Sequence, residues 1–154
     1  MSALLIVATV TTIVYSNSLT NAFTFDDHPI VEYNHVLRGN LQEVVISPFW
    51  PDQPGLGLYR PFTLLSFAAN YRVFGTDPLS YRVVSILLHV LASWFLYLNV
   101  TRLCGQKSGL VSAIMFAVHP IQSEAVNAIV GRAEILAGMF VLLAWYTSHR
   151  AEDD

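Results

Sequence analysis

Polar and apolar positions divide this chain into four apolar runs, with one long mixed stretch between the first and the second. A bilayer's hydrocarbon layer of about 30 Å asks for about 20 helical residues, and the runs approach that length. They predict transmembrane helices over about 3–16, 83–101, 108–119 and 133–147, with a large loop over 17–82. The first run is short. It lacks the basic residues that precede the apolar part of a signal peptide, and Ala22 is only a weak cleavage signal, so a retained helix is expected. The second is the clearest, holding only His89, Ser93 and Asn99 among strong apolar residues, with Trp94 and Tyr97 toward its far end. Pro120 should kink or end the third, because proline removes a helical donor. Trp145 and Tyr146 close the fourth ahead of a polar tail over 149–154.

The loop carries its own signals. Asn40 with Glu43 three residues on has the spacing of a helix start, and Pro48 should stop that helix. Pro51, Pro54, Gly55 and Gly57 mark a turn-rich stretch, after which Pro61 can open a second helix running to about Phe74. That helix is too polar to span and is expected to lie in the membrane interface as an amphipathic element. The predicted fold class is an all-α integral membrane protein. It has about four transmembrane helices and a large non-cytoplasmic loop carrying interfacial amphipathic helices.

Topology follows from the short loops, where the positive-inside bias is read. Arg102 and Lys107 bracket a brief turn that should be cytoplasmic, which places the loop over 17–82 and the segment over 119–134 together on the opposite side. The sequon Asn99-Val100-Thr101 then falls at the cytoplasmic end of its helix, where it should go unused.

Composition strengthens the membrane reading, since 54% hydrophobic and 12% charged residues exceed what a soluble core of this size needs. The formal charge of -3 is spread along the chain without a Lys/Arg cluster, so nucleic acid is not an expected partner and the bilayer is. Cys104 stands alone and reads as inert.

Two constellations carry chemistry. Asp26 and Asp27, inside Phe25-Asp26-Asp27-His28-Pro29, cannot share one face of a helix or strand, so one can address a reacting hydroxyl while the other meets a supporting group. The plainer alternative is an acidic turn capping a helix with Pro29 in its first turn. His119 and Glu124, followed by Arg132 and Glu134 at the start of the fourth run, place ionisable groups near membrane depth, where they default to functional hypotheses. His119 and Glu124 can equally be a hydrogen-bonded structural pair, and Arg132 with Glu134 an interfacial anchor. His89, within the second run, reads as a packed core residue.

The ordered set Asn17-Ser18-Leu19, Asn21 through Ile30, Tyr59-Arg60-Pro61-Phe62-Thr63 with Ser66-Phe67, Leu87-Leu88-His89, and Phe116 through Glu134 resembles one family. It is that of the transmembrane and tetratricopeptide-repeat O-mannosyltransferases, with their bacterial relatives in the C-type glycosyltransferase superfamily. Each piece is weak alone, and together they cover nearly the whole chain. Members often carry a histidine and then an asparagine where this chain has Arg82 and Ser85. The resemblance implies the N-terminal part of a membrane enzyme that moves a sugar, mannose by expectation, from a polyprenyl- or dolichyl-phosphate donor to a Ser/Thr hydroxyl of a protein. Its home would be the bacterial cytoplasmic membrane or that of the endoplasmic reticulum. Asp26 or Asp27 would be the base, Arg60 and Arg132 the cations facing the departing phosphate, and His28, His119, Glu124 and Glu134 supporting groups. No cofactor is certain. A divalent metal is an option, with Asp26, Asp27, His119 and Glu124 as ligands, although no compact ligand motif occurs. The rival class is a non-catalytic membrane scaffold that uses the acidic pair as a cap.

Overall fold

The structure, a computed structural model, describes residues 2–151, so the polar tail expected over 149–154 lies partly outside the described residues. Helices and turns account for its regular structure, with no strand among the described residues. Helix α1 (Ala3–Tyr15) starts where the Ser2 hydroxyl accepts from the Leu5 amide, and a 3-10 turn extends it over Ser16–Thr20. In the loop, α2 (Leu41–Ile46) opens with Asn40 Oδ1 accepting from Glu43 N at 2.8 Å and stops at Ser47, before Pro48. Helix α3 (Pro61–Phe74) has its proline in the first turn, where no amide is needed, and ends at Gly75, whose φ of +66° suits only glycine well.

Helix α4 (Pro78–Val118) is capped by Asp77, whose side chain accepts from Leu79 N. It is not one rod. Gly105 leaves helical geometry at φ 83°, ψ 166°, and the chain folds back on itself there. His89 Nε2 lies 3.1 Å from Ala117 O across the two arms, and a Cβ at Gly109 would sit 2.9 Å from Tyr97 O. The short α5 (Gln122–Asn127) and a 3-10 turn (Ile129–Gly131) lead into α6 (Arg132–Ala151).

Three segments are long and apolar enough to cross a membrane: Ala3–Thr20, Pro78–Val118 and Ile129–Ser148. The two runs expected as separate spans over 83–101 and 108–119 both fall within the second of these, on either side of Gly105, so three candidate spans stand where about four were expected. Asn99 bridges the bundle, its Nδ2 donating to Phe95 O and to Leu142 O of α6, both at 2.9 Å. The sequon is therefore closed by packing, since Asn99 is 2% exposed and its amide nitrogen is engaged.

The loop differs from a sheet of interfacial helices because it builds a core of its own. Ile30, Val31, Leu37, Val44, Phe49, Leu64, Phe67 and Ala68 pack with Tyr81 of α4 and Ile129. The inner face of α3 is thus enclosed, and Phe62, Val73 and Phe74 remain on its outside. A second cluster of Tyr15, Ile86, Val126 and Ile135 joins α1, α4, α5 and α6 beneath it. Burial of these side chains stabilises each at about 1.5–3 kcal/mol, which is what holds a loop of this length in one arrangement.

Candidate active site

The site begins at a strained turn. Phe25 takes φ 43°, a left-handed value uncommon for a bulky side chain, and its ring is 91% exposed. Asp27 is what holds the turn: its Oδ2 accepts from Thr24 N at 3.1 Å and Thr24 Oγ1 at 3.3 Å. Its Oδ1 accepts from Val130 N at 3.0 Å, so one fully enclosed carboxylate ties the 24–27 turn to the 3-10 turn ahead of α6. Its neighbour Asp26 points the other way and is exposed in a cavity of about 670 Å³.

That cavity lies between the loop and the α5–α6 junction. Asp26, Glu124 and Glu134 border it, together with Arg60, Gln122, Trp50 and Gly131. Arg60 Nη1 is 3.5 Å from Glu134 Oε1, and its guanidinium lies 4.8 Å over the Phe49 ring. The pair is partly exposed, so it is worth little as a stabilising contact and leaves Arg60 available to an anion. A second, more apolar cavity of about 350 Å³ adjoins the first, and Arg60 and Glu134 line both. Gly131 is needed for closeness: a Cβ there would lie 2.7 Å from Ala125 Cα, pushing the turn off α5.

Beneath the cavity runs a buried polar framework. Arg132 is 0% exposed, with Nη2 donating to Tyr81 O at 2.8 Å and Asn70 Oδ1 at 3.2 Å, Nε to Ser85 Oγ at 3.3 Å, and Nη1 to Ser66 O and Oγ. Its guanidinium carbon also lies 4.7 Å from the Phe67 ring centroid and 5.5 Å from that of Tyr81. The expectation that Arg132 faces a phosphate is corrected here: its donors are consumed by α3 and α4, and it borders neither cavity. Arg82, also buried, donates to Asn21 O at 3.0 Å, Ala22 O at 2.6 Å and Asn127 O. Arg82 and Ser85 thus both belong to this framework.

The remaining candidates are dispersed. His28 Nδ1 meets Glu32 Oε2 at 2.5 Å and stacks on Tyr33, away from the cavity wall. His119 Nδ1 accepts from Ile121 N, so the pairing of His119 with Glu124 is replaced by a local turn contact, with Glu124 in the first turn of α5. Among the described residues no group of three His, Cys, Asp or Glu side chains is placed to hold a metal ion. Asp27 is saturated and His119 lies off the cavity wall, so the four expected ligands do not fit a metal centre. Trp50 and Phe49 were missed by the sequence reading. An aromatic pair directly before a Pro/Gly-rich turn was the available signal.

Fold and site together define a helical integral membrane protein with an acid-lined cavity at one end of its bundle, where the loop and the 119–131 segment meet. The family described as dolichyl-phosphate-mannose-protein mannosyltransferase matches residues 53–154. The chain is 35% identical to protein O-mannosyl-transferase Tmtc1 of Drosophila melanogaster over 90% of its length. It is 35% identical to protein O-mannosyl-transferase TMTC3 of Homo sapiens over 94%, and 36% identical to its Mus musculus counterpart over 91%. The chain belongs to this mannosyltransferase family. It spans 17%, 17% and 16% of those relatives' own lengths, respectively. No solved structure matches it.

Proposed function

We propose that the larger cavity is part of the transfer site of a membrane mannosyltransferase, with a polyprenyl- or dolichyl-phosphate mannose as donor and a protein Ser/Thr hydroxyl as acceptor. The observation that carries this reading is the division of the acidic pair: Asp26 opens into a cavity with Arg60, while Asp27 is consumed in holding the turn. A sugar on a lipid phosphate already has a good leaving group, and the reaction chiefly needs a base for the acceptor. Asp26 takes the acceptor proton as its oxygen attacks the anomeric carbon, and the bond from that carbon to the phosphate oxygen breaks. Arg60, which lines both the larger and the more apolar cavity, neutralises the charge that the departing phosphate gathers. Glu134 holds Arg60 in place until the phosphate arrives, and Glu124 receives sugar or acceptor hydroxyls. Arg132 and Asp27 are positioning residues that fix α6 and the 24–27 turn.

The bundle geometry supports one side for the chemistry. The loop and the 119–131 segment meet through Asp27 and Arg82, and the turn bearing Arg102 and Lys107 lies at the other end of the α4 hairpin. With that turn cytoplasmic, the cavity faces the lumen of the endoplasmic reticulum.

The test is sugar transfer from radiolabelled polyprenyl-phosphate mannose in membranes expressing the longest natural product of this gene. Asp26→Asn is expected to lower transfer by about 10²–10⁴-fold while inserting normally. Wild-type-like transfer by Asp26→Asn removes it as the base. An absence of transfer from any sugar donor favours a scaffold that keeps the fold alone.

A further inference from the structure

The cavity contains an aromatic surface that the acid and base roles leave unused. Trp50 is half-buried, packed against the loop core and also lining the cavity. Its position is fixed by its neighbours. Phe49 N donates to Leu58 O at 2.9 Å, and Gln53 N donates to Trp50 O at 3.3 Å, which closes the Pro/Gly-rich turn and sets Trp50, Leu58 and Arg60 along one wall. The Phe49 ring stands at 90° to Trp50 with centroids 6.4 Å apart, and that same ring carries the Arg60 guanidinium. One rigid side chain therefore links an aromatic face to the cation at the border of the two cavities.

A hexopyranose presents an apolar face of C–H groups and a rim of hydroxyls. The wall offers a matching arrangement: an indole for the face, and Glu124 and Gln122 to accept from the rim. At about 670 Å³ the cavity is within the range that holds a small ligand. An interfacial anchor would point its indole outward to lipid headgroups, whereas Trp50 lines a cavity that it shares with Asp26, Arg60 and Glu124.

We propose that Trp50 is the platform on which the transferred hexose stacks, turning its anomeric carbon toward the acceptor oxygen while Arg60 holds the phosphate. The proposal rests on the transferase reading for how the sugar arrives, but sugar binding at Trp50 can be measured without transfer.

The experiment uses the full-length protein labelled with 5-fluorotryptophan in lipid nanodiscs, with the Trp50 fluorine resonance assigned by its loss in Trp50→Phe. Titration with octyl α-mannoside is expected to move that resonance saturably, and equally in Asp26→Asn, where the base is gone. An octyl ether detergent without a sugar is expected to leave it in place. A resonance unmoved by mannoside, moved as far by the sugar-free detergent, or moved only by a Ser/Thr acceptor peptide overturns the proposal. A mannoside shift in a protein that transfers no sugar sinks the transferase reading and leaves the platform standing. In transfer assays Trp50→Ala should raise the donor KM about tenfold and Trp50→Phe, which keeps a ring, less. A fall in kcat alone, with KM unchanged in both, also overturns it.

Discussion

Two sets of charged residues, one on each side of the cavity floor, do opposite things. In the framework beneath the cavity, Asp27, Arg82 and Arg132 are enclosed and their polar atoms are engaged by backbone, hydroxyl and amide groups. In the cavity wall, Asp26, Arg60 and Glu134 are partly or fully exposed, and one loose ion pair joins Arg60 to Glu134. Charge type does not separate structural from chemical groups here. Separation comes from whether the bonding capacity is consumed by the fold, because a buried charge persists only when satisfied and a working one must be left incomplete.

The sharpest way to break this comparison is to exchange the two arginines' fates. Arg132→Met should destabilise the protein by about 3–5 kcal/mol, since it strands Asn70 Oδ1, Tyr81 O and Ser85 in a closed space. Arg60→Met should change stability by no more than about 1 kcal/mol, as for other half-exposed pairs, while impairing transfer. Unfolding in detergent followed by protease resistance reads both, and equal losses for the two variants would erase the distinction. Next in size is the acidic pair. Asp27→Asn should cost about 1–3 kcal/mol because one of its two accepting oxygens becomes a donor facing an amide, whereas Asp26→Asn should leave thermal stability essentially unchanged. Amide hydrogen exchange at Val130 is the local readout: it should accelerate in the first variant only. The smallest expected effect is at the strained turn. Phe25→Gly relieves a left-handed φ, but the free chain gains freedom, so the net stability change should be within about 1 kcal/mol. A larger loss would mean that the exposed Phe25 ring supports the turn through contacts with another part of the protein.

Much of the local structure was legible because its signals are local. Asn40 caps α2 through the amide three residues on, Pro61 opens α3, and Val118 ends α4 just before Pro120. The opposed directions of Asp26 and Asp27 also follow from adjacency alone. Arg132 shows where such reading stops. It neighbours Glu134 and looks like an interfacial cation, yet its partners come from Ser66, Asn70, Tyr81 and Ser85, all 47 or more residues earlier. The expected interfacial position of α3 fails to anticipate its enclosed face for the same reason: Leu64 and Phe67 meet Val44, Phe49 and Ile129 only once the loop has closed. Trp50 enters the cavity wall through the Phe49–Leu58 contact across a turn, which periodicity does not register.

By itself the sequence determined the helical membrane class, the break points at proline and glycine, and the residue types available for chemistry. These depend on hydropathy over a bilayer's thickness and on backbone geometry within a few residues. Tertiary structure alone decided that the loop has a core, that the α4 arms fold together at Gly105, and which member of each charged pair is left unsatisfied in the cavity. Those outcomes turn on desolvation and on hydrogen bonds between groups far apart in the chain, and both are settled only when the elements pack.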